Sequence, residues 1–232
     1  MIRPRVGAVT IGQTPRPDLL EPLLERVGAD AEIIEVGALD GQDADRLRSR
    51  LGRRGRQGSP TYPLTTRLRD GSPVRLDEAD LAPLVQEAID RAENAGAEVT
   101  LLLCAGGFLD ATGRRPLVRP FDAGSARLRD LGVRRLAVLV PYEGQADPAR
   151  RKWQAAGFQA TALVGDPESI ELPTDLAGLD GLVLDYVGHA SRVVKALRDR
   201  TAAPVVDLGE CGADAAVAVI AEHLGHAVVA GR

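Results

Sequence analysis

The chain has 232 residues, 44% of them hydrophobic and 27% charged, with a net charge of −4. That length supports one large domain or two small ones with a sizeable core, and the negative balance argues against nucleic acid as the main partner, because phosphate binding needs concentrated positive charge. Aromatic residues are only 3%, so the core must rest on Val, Leu, Ile and Ala, the residues of buried parallel strands and Ala-rich helices.

Strand and helix patterns alternate along the chain. Val6–Ile11 is a short apolar run, broken by Gly12-Gln13-Thr14-Pro15. A helix is predicted over Pro15–Val27, with Thr14 as N-cap and Pro15 in the first turn. Glu32–Val36 reads as a second strand. Residues 38–58 are polar, and the basic stretch Arg46–Arg56 reads as a solvated loop or as an anion-binding flap. Tyr62–Leu68 and Ser72–Leu76 flank Asp70-Gly71, a hairpin signal. Asp77–Asn94 is an amphipathic helix pattern ended by Gly96, followed by the buried-strand run Val99–Leu103.

The second half repeats the theme. Strands are predicted at Leu136–Val140, Gln159–Val164, Leu182–Leu184 and Pro204–Val206. Helices are predicted at Asp147–Ala156 with Pro148 at its start, at Ser191–Asp199 and at Ala213–Leu224. This alternation implies parallel sheets with helices on both faces. No apolar run approaches the ~20 residues of a membrane span, and the opening MIRPRVGAVTIG has no cleavable leader shape. Two cysteines do not make a disulfide framework, so free thiols and a soluble, cytoplasmic protein without a membrane partner are expected.

Ligands of open parallel sheets bind beyond the carboxyl ends of the strands, near helix N-termini. Cys104 ends a buried strand and enters the small-residue turn Ala105-Gly106-Gly107, where convergent N–H groups would lower the thiol pKa and favour the reactive thiolate; the alternative is a small buried hydrophobe. Arg16 follows the first strand and has the geometry to grip a carboxylate. Thr65, Thr66 and Arg67 form a polar set within the hairpin. Glu143 follows the Val140 strand end. Tyr186, Gly188 and His189 follow the Leu184 strand end, and Cys211, assigned a packing role, follows Val206. His223 and His226 read as solvent-facing. Dinucleotide, P-loop, zinc and hydrolase-elbow motifs are absent, so no metal or cofactor is expected.

Thr10-Ile11-Gly12-Gln13-Thr14-Pro15-Arg16-Pro17-Asp18 resembles the opening of AroM family proteins. Tyr62 to Gly71, Leu102-Leu103-Cys104, Val140-Pro141 through Lys152-Trp153-Gln154, and Leu184 to His189 fit the same resemblance, which covers nearly the whole chain. AroM proteins resemble the aspartate/glutamate racemase superfamily. The resemblance therefore implies an α/β fold of two pseudo-symmetric parallel-sheet lobes with an interlobe cleft. One lobe would span 1–118, completed by the C-terminal helix 211–232, and the other 119–210. Racemases of that superfamily use one cysteine from each lobe on opposite faces of a carboxylate substrate. Cys104 matches the first-lobe cysteine, while the second falls at Tyr186. The implied function is an enzyme acting on a small carboxylate by cysteine acid/base chemistry, of isomerase, racemase or decarboxylase/lyase type. Cys104 and Tyr186 would be catalytic, and Thr10, Gln13, Arg16, Thr66, Ala105, Gly106, Glu143, Gly188 and His189 would bind substrate. The alternative is a non-catalytic carboxylate-binding or sensor protein that has lost the second cysteine. A lowered Cys104 pKa would favour catalysis, and an ordinary or raised one binding alone. Homodimerisation is compatible with the resemblance.

Overall fold

The computed structural model describes residues 3–43, 47, 62–169 and 178–224, with no description of the side chains at 223 and 224. The arginines of the Arg46–Arg56 stretch, His226 and the side chain of His223 lie outside it.

In chain order the first sheet region comprises β1 (Arg5–Thr10), α1 (Pro17–Val27), β2 (Glu32–Gly37), the pair β3 (Pro63–Arg67) and β4 (Pro73–Asp77), α2 (Glu78–Asn94), β5 (Val99–Leu103), β6 (Leu117–Val118) and α3 (Pro120–Asp130). The second comprises β7 (Arg135–Val140), α4 (Glu143–Ala155), β8 (Gln159–Val164), β9 (Gly181–Leu184), α5 (Ser191–Arg200), β10 (Val205–Asp207) and α6 (Leu208–Leu224). Two four-stranded sheets result, ordered β2-β1-β5-β6 and β8-β7-β9-β10, all neighbours parallel. Each places its strands as second, first, third, fourth in chain order, so the two sheets share one topology. The insertion β3–β4 is an antiparallel hairpin turning at Asp70-Gly71, where Gly71 has φ +81°.

The shared topology extends to register. Val6 pairs with Val99 in the first sheet, and Leu136 pairs with Gly181 in the second. Five residues beyond each partner (99 + 5 and 181 + 5) stand Cys104 and Tyr186. They are equivalent positions, beyond the carboxyl ends of β5 and β9, where each strand order reverses and an open sheet leaves a crevice.

Side chains alternate across the sheets as a two-residue period requires. Val6, Ala8, Leu101 and Leu103 enter a core shared with Val138, Trp153 and Ile220. Val9, Leu102 and Cys104 point the other way, toward Leu64 of the hairpin and Leu81 and Ile89 of α2. A third cluster, including Leu184, Val193 and Leu197, covers the outer face of the second sheet. Trp153 is fully buried and meets Phe121 and Phe158 edge-on, at ring-centre distances of 4.9 and 5.7 Å. Three of the seven aromatic residues thus form one cluster in this core. Helix α6 packs on α1, α3 and β5.

Several predicted boundaries are corrected. The first helix begins at Pro17 with Arg16 as N-cap, and Thr14 does not cap it. The Thr14 hydroxyl instead donates to Asp40 Oδ2 at 2.9 Å. Helix α4 begins at Glu143, so Pro148 lies inside the helix. Helix α6 begins at Leu208, because Asp207 Oδ1 accepts the Glu210 N–H at 2.9 Å and caps the first turn. Strand β6 and helix α3 have no counterpart in the sequence reading. Among the described residues no helix is long and apolar enough to cross a membrane.

Candidate functional site

A cavity of about 30 Å³ lies between the two strand-end crevices and the hairpin. Thr10, Cys104 and Ala105 reach it from the first sheet, Asp185 and Tyr186 from the second, Tyr62 and Thr66 from the hairpin, and Arg16 from the β1–α1 turn. A cavity of this size holds about one water. Cys104 lines this recess of mixed polar and apolar wall, although the residue is only 5% exposed.

The turn after Cys104 is tightly fixed. The Gly106 N–H donates to Cys104 Sγ at 3.3 Å, and the Phe108 N–H donates to Glu78 Oε1 at 2.9 Å. A side chain at 106 would meet Phe108, Glu78 and Leu64, so glycine is needed there for close approach. Phe108 adopts a left-handed φ of +41°, an uncommon state for a non-glycine residue. The surroundings do not lower the thiol pKa as expected. Burial pushes Cys104 up to about 12; the Gly106 N–H opposes this, Glu78 adds to it, Lys152 opposes it and Asp185 adds to it. Withdrawal from water outweighs the single amide donor. Burial therefore favours the thiol over the thiolate.

Tyr186 is half-buried, and burial raises its pKa, with Arg16 and Arg67 partly offsetting the effect. Its ring meets His189 edge-on at 5.4 Å. His189 is itself buried, with Nδ1 3.1 Å from the Tyr186 carbonyl oxygen and 3.3 Å from Asp207 Oδ2. His189 therefore stands behind Tyr186 and does not line the cavity. Burial likewise raises the Tyr62 hydroxyl pKa well above the usual phenol value.

The other sequence candidates divide. Arg16 lines the cavity with its guanidinium fork held by Asp18, through Nε at 2.9 Å and Nη2 at 2.6 Å. Thr66 lines it with a buried hydroxyl that has no protein partner. Thr10 Oγ1 accepts the Gly12 N–H at 3.3 Å. Gln13 is turned away from the cavity and braces loops: its Nε2 donates to the carbonyls of Leu39 and Gln42, and its Oε1 accepts the Arg69 N–H. Glu143 is exposed at the start of α4, and Gly188, with φ +118°, packs near Leu19 outside the lining. Cys211 is half-buried in a separate surface groove beside Arg127 and Asp214, its thiol pushed up to about 12 by burial and then by Asp207.

Asp185 and Gln145, absent from the candidate set, complete the wall, and Lys152, outside the lining, braces it. Lys152 Nζ donates to Asp185 Oδ1 and to the Ala105 carbonyl, both at 2.7 Å. Its side chain is 12% exposed and that of Asp185 0%. Asp185 Oδ2 and Gln145 Oε1 are buried without protein partners, and both residues line the cavity. The Gln145 amide and the Tyr142 hydroxyl both donate to the Pro63 carbonyl at 2.8 Å, joining α4 to the hairpin. A charged residue at the end of an apolar strand was the available signal for Asp185. The register places it opposite in role to Leu103, where an uncharged side chain suffices. Among the described residues, no group of three or more His, Cys, Asp or Glu is placed to hold a metal.

Two sheets of one topology, meeting at matched strand ends, make a two-lobed α/β fold that is shared with solved racemases and a decarboxylase. Arylmalonate decarboxylase aligns at 18% identity and a TM-score of 0.60, over 93% of this chain and 91% of its own. An aspartate racemase homologue from Pyrococcus horikoshii OT3 aligns at 14% and 0.60, over 94% and 99%. Allantoin racemase from Klebsiella pneumoniae aligns at 18% and 0.59, over 97% and 90%. Residues 6–222 match the family model described as AroM protein, and the chain belongs to the AroM family. No curated protein matches the chain.

Proposed function

We propose that the protein is an enzyme that delivers one proton from the Cys104 thiol to a carbon of a small carboxylate substrate. The observation that carries this reading is that Cys104 lines a cavity at the junction of the matched strand ends together with Arg16, Thr66 and Tyr186. The burial that keeps the thiol protonated argues against its acting as a base that abstracts a proton. In a decarboxylation or lyase step the bond to the departing carboxylate carbon breaks, and its electron pair stays on the substrate carbon. Carbon dioxide leaves, the Cys104 S–H proton moves to that carbon, and the thiolate then takes a proton from water. The developing anion needs oriented donors, for which Thr66 Oγ1 and the Arg16 guanidinium are placed at the wall. Similarity in fold to a decarboxylase and to racemases is consistent with such chemistry, as an analogy of fold. Because the cavity holds about one water, substrate entry requires the hairpin or the two lobes to shift.

Two-thiol racemisation is disfavoured by Tyr186 at the position equivalent to Cys104, since a phenol with a raised pKa is a poor base. The second reading is a carboxylate-binding protein without turnover. The raised thiol pKa and the commitment of the Arg16 fork to Asp18 favour it. A panel of small mono- and dicarboxylates, incubated in D2O, separates the two. Deuterium in a product, lost in Cys104→Ser, supports the enzyme; binding without turnover in either protein supports the second reading.

A further inference from the structure

Lys152 is a closely held, largely buried cation beside the candidate site. Its ammonium bridges the two sheet regions: α4 carries it, Asp185 beyond β9 accepts one N–H, and the carbonyl of Ala105, the residue following Cys104, accepts another. The faces of Tyr62, Phe121 and Trp153 surround it at 5.3, 4.9 and 5.6 Å, a setting that favours a cation further. A strut between lobes would not need a charge. Taking a charge out of water is unfavourable until it is paired, so a charged group held here points to a role for the charge itself.

We propose that Lys152 is a positioning residue for Cys104, pinned by Asp185 so that its ammonium holds the Cys104–Ala105 turn and offsets the negative charge on sulfur when the thiol gives up its proton. The inference deepens the reading of Cys104 as the proton carrier and rests on it for its catalytic meaning. The groups whose charge bears on the Cys104 thiol are the Glu78 carboxylate from α2, Asp185 from the second sheet and Lys152 from α4, and the thiol in turn bears on the Tyr62 hydroxyl of the hairpin. Two of the charged groups are carboxylates and disfavour the thiolate; Lys152 is the cation that opposes them.

The test uses the full chain with Cys211→Ser, leaving Cys104 as its only thiol, and follows alkylation by iodoacetamide at fixed pH. Lys152→Met is expected to slow Cys104 alkylation at least about tenfold, the effect of a one-unit rise in thiol pKa on thiolate fraction. Asp185→Asn keeps the shape, removes the opposing anion, and is expected to speed alkylation by several-fold. A merely structural role loosens the cavity and speeds both variants. Acceleration or no change in Lys152→Met, or equal changes in both variants, would overturn the proposal. If Lys152→Met does not fold, Lys152→Gln decides in its place: slower alkylation supports the proposal, and acceleration or no change overturns it. The readout needs no substrate, so absence of turnover in the carboxylate panel would count against the proposed enzyme without touching this result.

Discussion

Cys104 and Tyr186 occupy equivalent register positions in two sheets of identical strand order, and both face one cavity. The fold offers two matched stations for acid/base groups, and this chain fills one with sulfur and the other with a phenol held by His189. Proton traffic is therefore expected on one side only. Tyr186→Phe, which keeps the ring against His189, should leave turnover of any substrate found within about threefold, far less than the ~10²–10⁴-fold expected for loss of a general acid. A larger loss in steady-state kinetics would assign the Tyr186 hydroxyl a share of the chemistry.

The buried Lys152–Asp185 pair also predicts a stability pattern. Removing one partner strands the other charge and should cost about 3–5 kcal/mol, whereas replacing both with apolar residues should restore much of that loss. Chemical denaturation of Lys152→Met, Asp185→Leu and the double variant measures it. Additive losses would show that the two side chains do not compensate each other.

High pH should weaken the fold through its thiols. Both Cys104 and Cys211 are pushed from 9.0 to about 12 in the folded chain. Between these values the unfolded chain releases a proton that the native state retains, so stability is fully present below pH 9 and falls as pH rises toward 12. Cys104→Ala in a Cys211→Ser background should flatten this alkaline decline in unfolding midpoints between pH 8 and 11. An unchanged slope would place the decline in other groups.

The hairpin closes the cavity through a two-donor latch, the Tyr142 hydroxyl and the Gln145 amide on the Pro63 carbonyl, reinforced by the Arg75 guanidinium 4.3 Å from the centre of the Tyr142 ring. Tyr142→Phe keeps the ring and removes one donor. It should cost about 1 kcal/mol and increase iodoacetamide access to Cys104. Unaltered access would mean that opening occurs between the lobes without release of the hairpin.

Much of this architecture is legible in the sequence, because strands buried on both faces appear as unbroken apolar runs and the hairpin announces itself at Asp70-Gly71. The strand-end rule points to Cys104, Arg16 and Tyr186, and the polar set of the hairpin to Thr66. The errors have local causes. Proline marks helix starts only statistically, and Pro148 sits a turn and a half inside α4, as Pro22 and Pro83 do in α1 and α2. The start of α6 was signalled by Asp207 and Glu210 at capping spacing. Gln13 was selected for its position after β1, yet position does not show which way an amide turns. Lys152 was hidden because its role depends on Asp185, 33 residues away, and no spacing in the chain encodes that meeting. The expected low thiol pKa failed because one amide does not offset full burial of the sulfur.

The decisive measurement is deuterium incorporation from D2O into products of a small-carboxylate panel, with wild-type protein and Cys104→Ser compared at equal folded concentration. Transfer of a proton from sulfur predicts deuterium on a single face of the product carbon in wild type, and its loss, by at least about a hundredfold, in the variant. Equal incorporation by both proteins would contradict the assignment of that proton to Cys104.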